Sequence, residues 1–419
     1  RPDFVLAPSS LEVPGASPSE RVRLAALRGG LGAVPGVRLA GVHAGIKPRK
    51  RDLALVAFER PQRCAAIVTT NDVKAAPLLV SAAHLAASDA VRALVCNSGC
   101  ANACTGERGM RDATATARQT AALLGIDVRE VVVASTGVIG VPLPMDRVQT
   151  GLARAAAQLE EGGKAAFDAA EAIMTTDRLP KLADYAFHHN GRKYVAGGIA
   201  KGSGMIAPNM ATMLAFVATD FPLSPASLDA LLRDSADASF HMISVDGDMS
   251  TNDAVYAFSP AAECGEGVPE GCAQAFAHVC LDLAQAMVAD GEGATKTLEL
   301  HVSGARDVAQ ARTLARAVIN SNLVKTALYG EDPNWGRIVA AAGAARAGMD
   351  AHGWALQLNG KPWVGAGAVE LLAEAEARRE LEAQTVRVEL QLAAGDAEAT
   401  AWGCDLSRDY VRINASYRT

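Results

Sequence analysis

The segment from Gly197 to Leu214 combines small, flexible and nucleophilic residues around one peptide bond. Four glycines and Pro208 precede Ala211 and Thr212, so the chain can approach this bond in a bent, side-chain-poor conformation. A threonine hydroxyl can attack the carbonyl of the preceding residue if the backbone is held bent and the oxyanion is stabilised. The peptide then becomes an ester that water cleaves. The segment therefore permits self-cleavage between Ala211 and Thr212.

Cleavage at this bond would give Thr212 a free α-amine. Such an amine has an ordinary pKa of about 7.7 to 8.0, so it can act as a base near neutral pH within reach of the hydroxyl of the same residue. One residue would then supply both nucleophile and base. A glycine-rich loop before a threonine is also typical of a turn that enters a buried strand, and composition alone leaves both interpretations open.

Other catalytic and metal-binding motifs are missing or incomplete in the sequence. Neither a phosphate-binding P-loop nor an H-E-x-x-H pair occurs. Ser203 stands in Lys201-Gly-Ser-Gly-Met205, which is not the G-x-S-x-G nucleophile elbow. No C-x-x-C pair or nearby histidine accompanies the cysteines that recur every fourth residue, so we expect small buried thiols and no metal site. These cysteines are Cys96, Cys100 and Cys104.

Composition and charge argue against nucleic acid and membranes as partners. The 419 residues carry a formal net charge of -6, so the chain lacks the excess of positive charge that is typical of nucleic-acid-binding proteins. The basic run 47–51 is predicted to be a solvated loop, with a phosphate or polyanion site as the alternative. No stretch approaches the roughly 20 apolar residues of a membrane span, and residues 1–6 do not read as a signal peptide. We therefore expect a cytoplasmic protein with no membrane partner.

The sequence on both sides of the Gly197–Leu214 segment alternates between apolar runs and alanine-rich stretches, and these must form the elements that position the segment. This alternation predicts buried strands and helices, and hence a layered α/β fold. Strands are predicted at 53–57, 93–96, 131–134 and 213–218, with a hairpin over 182–200 that turns at Asn190-Gly191. Helices are predicted at 81–91, 111–124, 145–160, 164–174, 225–238, 268–289 and 306–319.

A cut after residue 211 would divide the chain into pieces of 211 and 208 residues. Neither piece has a domain boundary of its own at that point, so we expect both to share one core. The clean alternation of Val386-Arg-Val-Glu-Leu-Gln-Leu392 predicts a smaller strand-rich C-terminal lobe over about 300–419.

The glycine-rich segment also resembles a family signature. The run Lys201-Gly-Ser-Gly-Met-Ile-Ala-Pro-Asn-Met-Ala-Thr-Met-Leu214 is similar to that of the ornithine acetyltransferase family, the bifunctional glutamate N-acetyltransferases of arginine biosynthesis. The resemblance covers nearly the whole chain. Its further matches are Ala44-Gly-Ile-Lys47, Asp52-Leu-Ala-Leu55, Thr69-Thr-Asn71, Asn97-Ser-Gly99, Ser135-Thr-Gly-Val-Ile-Gly140, Pro142-Leu-Pro-Met-Asp146, Thr175-Thr-Asp177, Val245-Asp-Gly-Asp248, Ser250-Thr-Asn-Asp253, Asp290-Gly-Glu-Gly-Ala-Thr-Lys296, Asp332-Pro-Asn-Trp-Gly-Arg337, Asp409-Tyr-Val-Arg-Ile-Asn414 and Tyr417-Arg-Thr419.

The resemblance implies a layered α/β sandwich of the self-cleaving ornithine acetyltransferase and aminopeptidase type, with a smaller α+β lobe at the C-terminus. It implies an α chain of residues 1–211 and a β chain of 212–419 that begins with the nucleophile Thr212. It also assigns the oxyanion hole to the hydroxyl of Thr136 and the backbone N–H of Gly137. On the residues alone, Ser-Thr-Gly would be an ordinary turn.

The resemblance further assigns six residues to an amino-acid site. Lys201 suits an α-carboxylate, and Glu292 suits the side-chain ammonium of ornithine. From position alone, Lys201 could equally be a solvated loop lysine and Glu292 a surface charge. The six residues are Thr175, Lys201, Thr212, Glu292, Asn414 and Thr419. Cys100, Val141 and Met249 depart from the family pattern at positions to which no chemistry is assigned.

The reaction implied by the resemblance is a double displacement. Thr212 would take acetyl from N2-acetylornithine and pass it to the α-amine of glutamate, without a cofactor or metal. Acetyl-CoA as a second donor stays open, and two α and two β chains are expected to form a heterotetramer. Two alternatives remain, namely an amidase or aminopeptidase of the same architecture and an uncleaved binding or regulatory protein.

Overall fold

A computed structural model of the protein describes residues 25–26, 29–206, 213–265 and 267–416. Within these ranges the chain forms two β-sheets that are covered by helices. The helices are α1 (Ala76–Ala87), α2 (Gly106–Leu124), α3 (Met145–Ala157), α4 (Gly163–Ile173), α5 (Pro225–Asp237), α6 (Glu270–Ala289), α7 (Val308–Ile319), α8 (Asn322–Tyr329), α9 (Trp335–Ala344), α10 (Glu374–Glu380) and α11 (Arg408–Ser416).

The first sheet has nine strands in the described part of the chain. They are β1 (Ala25–Ala26), β2 (Val37–Val42), β3 (Leu53–Val68), β4 (Val91–Cys100), β5 (Val131–Val138), β6 (Lys181–His189), β7 (Arg192–Lys201), β8 (Leu214–Thr219) and β10 (Ala254–Pro260). The order is β1-β6-β7-β8-β10-β3-β4-β5, and β2 pairs with β3. The pairs β8–β10 and β4–β5 are parallel and the others are antiparallel.

The two halves of this sheet contribute to a shared core on one of its faces. Val56 and Leu94 from one half belong to the same buried cluster as Phe216 and Tyr256 from the other half, and α4 contributes Ala170. Helices α2 and α3 cover the outer face of β3 to β5, while α5 and α6 cover the outer face of the other half. The layered α/β fold predicted from the sequence is confirmed.

The second sheet is built largely from the C-terminal part of the chain. Its order is β14-β13-β12-β15-β11-β16-β9, and α7, α8, α9 and α10 contribute to its core. Its strands are β9 (Ile243–Ser244), β11 (Thr297–Ala305), β12 (Trp354–Leu358), β13 (Lys361–Gly365), β14 (Val369–Glu370), β15 (Thr385–Leu392) and β16 (Ala397–Cys404). Because β9 pairs in parallel with β16, the residues that follow Ser244 lie at the junction of the two sheets.

Most predicted elements are confirmed, with two informative differences. The hairpin turns at Asn190 and Gly191, whose φ angles of 49° and 74° fit a type I′ turn. The helix predicted at 81–91 is α1 instead, which begins earlier with Pro77 in its first turn, a position where proline is favoured. Strand β3 runs far beyond the predicted residues 53–57 because its second half pairs with β10.

Two regions bear on the expectations about membranes and charge. Among the described helices, α6 alone is long and apolar enough to cross a membrane by length and composition, but its apolar residues, among them Phe276 and Leu283, are buried in the core beneath the first sheet. In the basic run, Arg49 and Lys50 are exposed as expected. Lys47 instead turns inward, and its Nζ donates to the carbonyl of Met174 at 2.9 Å.

Candidate active site

The predicted cleavage bond lies outside the described residues, so the site is defined by its surroundings. The described chain ends at Ile206 and resumes at Met213. Ala211 and Thr212 therefore have no described position, and the same holds for Thr419 at the C-terminus. Six other candidates lie in the described ranges, namely Thr136, Gly137, Thr175, Lys201, Glu292 and Asn414.

The chain downstream of the predicted cut is firmly held. The N–H of Met213 donates to Oδ1 of Asp253 at 2.9 Å, and the carbonyl of Met213 accepts from the N–H of Ala254 at 3.1 Å. Strand β8 then begins at Leu214, between β7 and β10, and every residue of it is buried. The residue that follows Thr212 is therefore fixed by a buried carboxyl group and by the sheet.

The chain upstream of the predicted cut is held as well. The N–H groups of Met205 and Ile206 donate to the carboxylate of Asp246 at 2.6 and 2.8 Å. The carbonyl of Ile206 accepts from the N–H groups of Val245 and Gly247 at 2.9 and 3.1 Å. Met205 has a φ of 54°, a left-handed conformation that costs a non-glycine residue about 1 to 2 kcal/mol. The hydrogen bonds to Asp246 and from Val245 and Gly247 offset that local strain upstream of the predicted cut.

The predicted oxyanion-hole residues lie at the end of β5. The side chain of Thr136 is buried, with 2% of the residue exposed. Gly137 has a φ of 128°, and a Cβ atom there would lie 2.4 Å from the backbone carbon of Gly99, so any larger residue would push the two strands apart. The register of β4 against β5 shifts at Gly99 and Cys100, and such irregularities re-aim groups at the ends of strands.

A buried loop connects the end of β5 with the start of β8. This 250–253 loop consists of Ser250, Thr251, Asn252 and Asp253, which are between 0% and 8% exposed. Nδ2 of Asn252 donates to the carbonyl of Ser135 at 2.8 Å and to that of Ala101 at 2.7 Å. The next residue, Asp253, accepts the N–H of Met213. One loop thus joins the residue before Thr136 to the residue after Thr212.

Lys201 is the last residue of β7 and is not solvated. It is 1% exposed and lies opposite Leu214 in the β7–β8 ladder. Burial lowers the pKa of the Lys201 ammonium, while the carboxyl groups of Asp177 and Asp253 act in the opposite direction. The alternative of a solvated loop lysine is wrong, because the sheet encloses this side chain.

Asp177 links Thr175 to the strand that carries Lys201. Its Oδ1 accepts from the N–H of Gly202 and from Nζ of Lys181, both at 2.7 Å, and its Oδ2 accepts from the N–H of Thr175 at 3.1 Å. Burial alone would raise the pKa of Asp177, but the charges of Lys181 and Lys201 and these hydrogen bonds hold that pKa well below its usual range. The carboxylate is therefore charged at neutral pH.

Glu292 is also buried, with 8% of the residue exposed, so the surface-charge alternative is wrong. Its N–H donates to the carbonyl of Ser203 at 2.7 Å. A Cβ atom at Gly204 would lie 2.5 Å from the carboxyl carbon of Glu292, so this glycine leaves room for the carboxylate. Nδ2 of Asn414, on the exposed side of α11, donates to Oε2 of Glu292 at 2.7 Å.

The described candidates thus form two groups, one connected to Met213 and the other to the end of β7. Thr136 and Gly137 are connected to Met213 through the 250–253 loop, and the remaining four are connected to one another through Asp177, Ser203 and the end of β7. Sequence reasoning assigned no role to four polar residues in these connections, although each lies within a quoted motif. These residues are Asp177, Asp246, Asn252 and Asp253.

The described candidate residues supply hydroxyl, ammonium, carboxylate and backbone N–H groups. In the described ranges, no group of three or more His, Cys, Asp or Glu side chains is arranged to hold a metal ion. Cys96 and Cys100 are buried as expected, whereas Cys104 is exposed. The arrangement suits acyl transfer through a hydroxyl nucleophile with nearby hydrogen-bond donors for an oxyanion.

Comparisons with known proteins agree with the resemblance seen in the sequence. The chain is 49% identical over 402 residues to the arginine biosynthesis bifunctional protein ArgJ of Symbiobacterium thermophilum, covering 94% of this chain and 99% of that protein. It is 48% identical over 396 residues to the protein of the same name from Geobacter sulfurreducens, with coverages of 92% and 100%. A crystal structure of ornithine acetyltransferase complexed with ornithine from Mycobacterium tuberculosis is 43% identical, covers 45% of this chain and 98% of that chain, and has a TM-score of 0.41. The sequence profile of the ArgJ family matches residues 38–419, and the chain belongs to this family.

Proposed function

We propose that this ArgJ-family acetyltransferase of arginine biosynthesis transfers acetyl from N2-acetylornithine to glutamate through an acetyl ester on Thr212. The observation that carries the proposal is the 250–253 loop, which holds the N–H of Met213 and the carbonyl of Ser135. Through it, the backbone next to Thr212 is tied to the backbone next to Thr136. A nucleophile and the donors for its oxyanion need such a rigid connection.

The same groups serve cleavage and transfer in this proposal. In cleavage, the hydroxyl of Thr212 attacks the carbonyl of Ala211, the peptide C–N bond breaks, and water hydrolyses the resulting ester. The products are an α chain of residues 1–211 and a β chain of residues 212–419. The hydroxyl of Thr136 and the N–H of Gly137 donate to the oxyanion that forms during both reactions.

Acetyl transfer then takes two balanced steps. The hydroxyl oxygen of Thr212 forms a bond to the acetyl carbon of N2-acetylornithine, and the bond from that carbon to N2 breaks. The α-amine of Thr212 accepts the hydroxyl proton and delivers it to the departing ornithine nitrogen. In the second step, the α-amine of glutamate forms a bond to the acetyl carbon, and the bond from that carbon to the Thr212 oxygen breaks. The Thr212 amine accepts the proton that the glutamate nitrogen loses and delivers it to the Thr212 oxygen.

The amino-acid site is proposed at the junction of β7 with the loops at 175–177 and 290–293. Lys201 would bind the α-carboxylate of either substrate, because its ammonium group is complementary in charge to a carboxylate. Glu292 would bind the ammonium at the end of the ornithine side chain. Thr175, Asn414 and Thr419 complete the site, and Asn414 already orients the Glu292 carboxylate.

The proposal extends to the assembly and to a second donor. Two α and two β chains would form a heterotetramer that works in the cytoplasm. The relatives carry the word bifunctional in their names, which supports acetyl-CoA as a further acetyl donor to glutamate. No cofactor is required for either reaction, because the acetyl group travels on Thr212.

Mass spectrometry after brief incubation with N2-acetylornithine tests the proposal. We expect two fragments of 211 and 208 residues, with one acetyl group on the 208-residue fragment. Adding glutamate should remove that group and produce N-acetylglutamate. Rapid release of acetate without glutamate would instead favour the amidase alternative, in which water takes the acyl group.

Replacing Glu292 with glutamine should weaken acetylornithine binding selectively. Loss of a charged hydrogen bond worth about 1.5 to 3 kcal/mol predicts that the KM for N2-acetylornithine rises roughly tenfold to a hundredfold. The KM for glutamate should rise less, because glutamate has no side-chain ammonium. Steady-state kinetics with each substrate varied in turn measures both values.

Glu299 offers a matched control for this substitution. It is a carboxylate of the second sheet that pairs with Arg387, so Glu299→Gln should leave both KM values unchanged. Equal increases of the two KM values in Glu292→Gln would contradict the assigned role, since Glu292 would then act on the site as a whole.

A further inference from the structure

Two carboxyl groups hold the chain on either side of the predicted cleavage bond. Asp246 accepts the N–H groups of Met205 and Ile206 on the upstream side, and Asp253 accepts the N–H of Met213 on the downstream side. Both acids belong to the segment between β9 and β10. After cleavage the Asp253 contact would lie within the β chain, whereas the Asp246 contact would join the two chains, because Met205 and Ile206 belong to the α chain.

The downstream contact acts directly on the nucleophile through covalent geometry. The nitrogen of Met213 and the carbonyl of Thr212 belong to one planar peptide unit. A hydrogen bond at 2.9 Å to that nitrogen therefore restrains Met213, the residue to which the carbonyl of Thr212 is bonded. Asp253 is itself fixed, because it is 0% exposed and its carbonyl accepts the N–H of Thr69 at 3.0 Å.

The upstream contact acts on a strained backbone instead. Asp246 bonds the N–H of Met205, which is in the left-handed region, and the N–H of the next residue. Oδ2 of Asp246 also accepts from the hydroxyl of Tyr410 at 3.1 Å, which connects it to α11 and hence to the neighbourhood of Asn414. This contact can bend the chain before cleavage, but after cleavage it joins Asp246 of the β chain to Met205 and Ile206 of the α chain, which are then no longer covalently linked to Thr212.

We propose that Asp246 and Asp253 are positioning residues that serve different reactions. Asp246 acts mainly in self-cleavage, whereas Asp253 acts in both self-cleavage and acetyl transfer. The proposal rests on the proposed function of Thr212 as the nucleophile of both reactions. A displacement of about 1 Å at a reacting group can cost on the order of 100-fold in rate. Loss of either carboxyl group should therefore slow the reactions that depend on it.

The charge state of Asp253 determines which substitution preserves its contact. Burial raises the pKa of this carboxyl group to about 8, although hydrogen bonds from Met213 and Ser250 and the charge of Lys201 act in the opposite direction. Oδ2 has no hydrogen-bond partner among the described residues. The group is therefore mostly neutral at pH 7, and asparagine, which is neutral and of the same shape, can still accept the Met213 N–H.

The test compares Asp246→Ala, Asp253→Ala and Asp253→Asn with a matched control. Asp220 is suitable as the control, because it accepts the N–H of Val195 at 2.7 Å beyond the far end of β8. Intact-mass measurements over time give the cleavage rate. Steady-state kinetics on the fraction that has been cut give kcat and KM for acetyl transfer from N2-acetylornithine to glutamate.

We expect Asp253→Ala to slow cleavage and lower kcat by about 100-fold each, with KM changed little, and Asp253→Asn to restore most of both rates. Asp246→Ala should slow cleavage by a similar factor with a much smaller loss in kcat. Asp220→Ala should cleave and turn over at wild-type rates. The rescue by asparagine separates positioning from a general loss of stability.

Three outcomes would overturn the proposal. They are an Asp253→Ala variant that matches Asp220→Ala in both rates, an Asp253→Asn variant that is as slow as Asp253→Ala, and an Asp246→Ala variant that loses as much kcat as Asp253→Ala. Failure of the proposed function is recognised separately in the wild-type protein. If wild type stays uncut or carries no acetyl group on Thr212, the proposed function falls and this inference falls with it.

Discussion

A Thr212→Ala variant should remain a single chain of 43.3 kDa and should transfer no acetyl group. Alanine lacks the hydroxyl that attacks the Ala211 carbonyl, so no ester forms and the peptide bond survives. Without the cut there is also no free α-amine at residue 212. Loss of nucleophile and base together should reduce transfer by at least about 10⁴-fold, in the range seen when a catalytic nucleophile is removed.

Intact-mass measurement and an N-acetylglutamate assay check this result. Thr219→Ala is the matched control, because it removes a buried threonine at the opposite end of β8 and should be cut normally. Thr212→Ser keeps a hydroxyl and should still be cut. A Thr212→Ala protein that is cut would place the cleavage bond elsewhere. A wild-type protein that remains at 43.3 kDa on long incubation would favour the alternative of an uncleaved binding or regulatory protein.

The fold was predictable from the sequence where local patterns determine the structure. The apolar run that became β8 and the Asn190-Gly191 turn are local signals, and both elements formed as predicted. The second half of β3 was not predictable, because Arg60-Pro-Gln62 interrupts the apolar pattern and only pairing with β10 makes it a strand. The two-residue strand β9 likewise depends on β16, more than 150 residues away in the sequence.

The site was predictable only in part, for the same physical reason. Resemblance identified residue types such as Lys201 and Glu292, but their burial depends on tertiary packing. Asp253 and Asp246 each contact residues about 40 positions earlier in the chain, and no periodic pattern indicates such contacts. Their motifs are visible in the sequence, whereas their contacts with Met205, Ile206 and Met213 depend on the tertiary structure.

The shared oxyanion hole leads to the second large effect. Replacing Thr136 with alanine should slow self-cleavage and acetyl transfer together, each by about 10² to 10³-fold, the usual cost of one oxyanion-hole donor. The parallel loss is the informative part, because the oxyanions of both reactions arise from attack by the same hydroxyl. Rates of fragment formation and values of kcat for acetyl transfer, measured on the same protein, test it.

Ser135→Ala provides the control for stability at the same strand end. Side chains alternate along a strand, so Ser135 points away from the Thr136 side chain, and its Oγ donates to Oδ1 of Asn97 at 2.6 Å. Its loss costs a buried hydrogen bond, about 1 kcal/mol of stability, without removing a donor from the oxyanion. If Thr136→Ala slows neither reaction more than Ser135→Ala does, Thr136 is not part of the site. If it slows only one, cleavage and transfer use different donors and the single-hole mechanism is wrong.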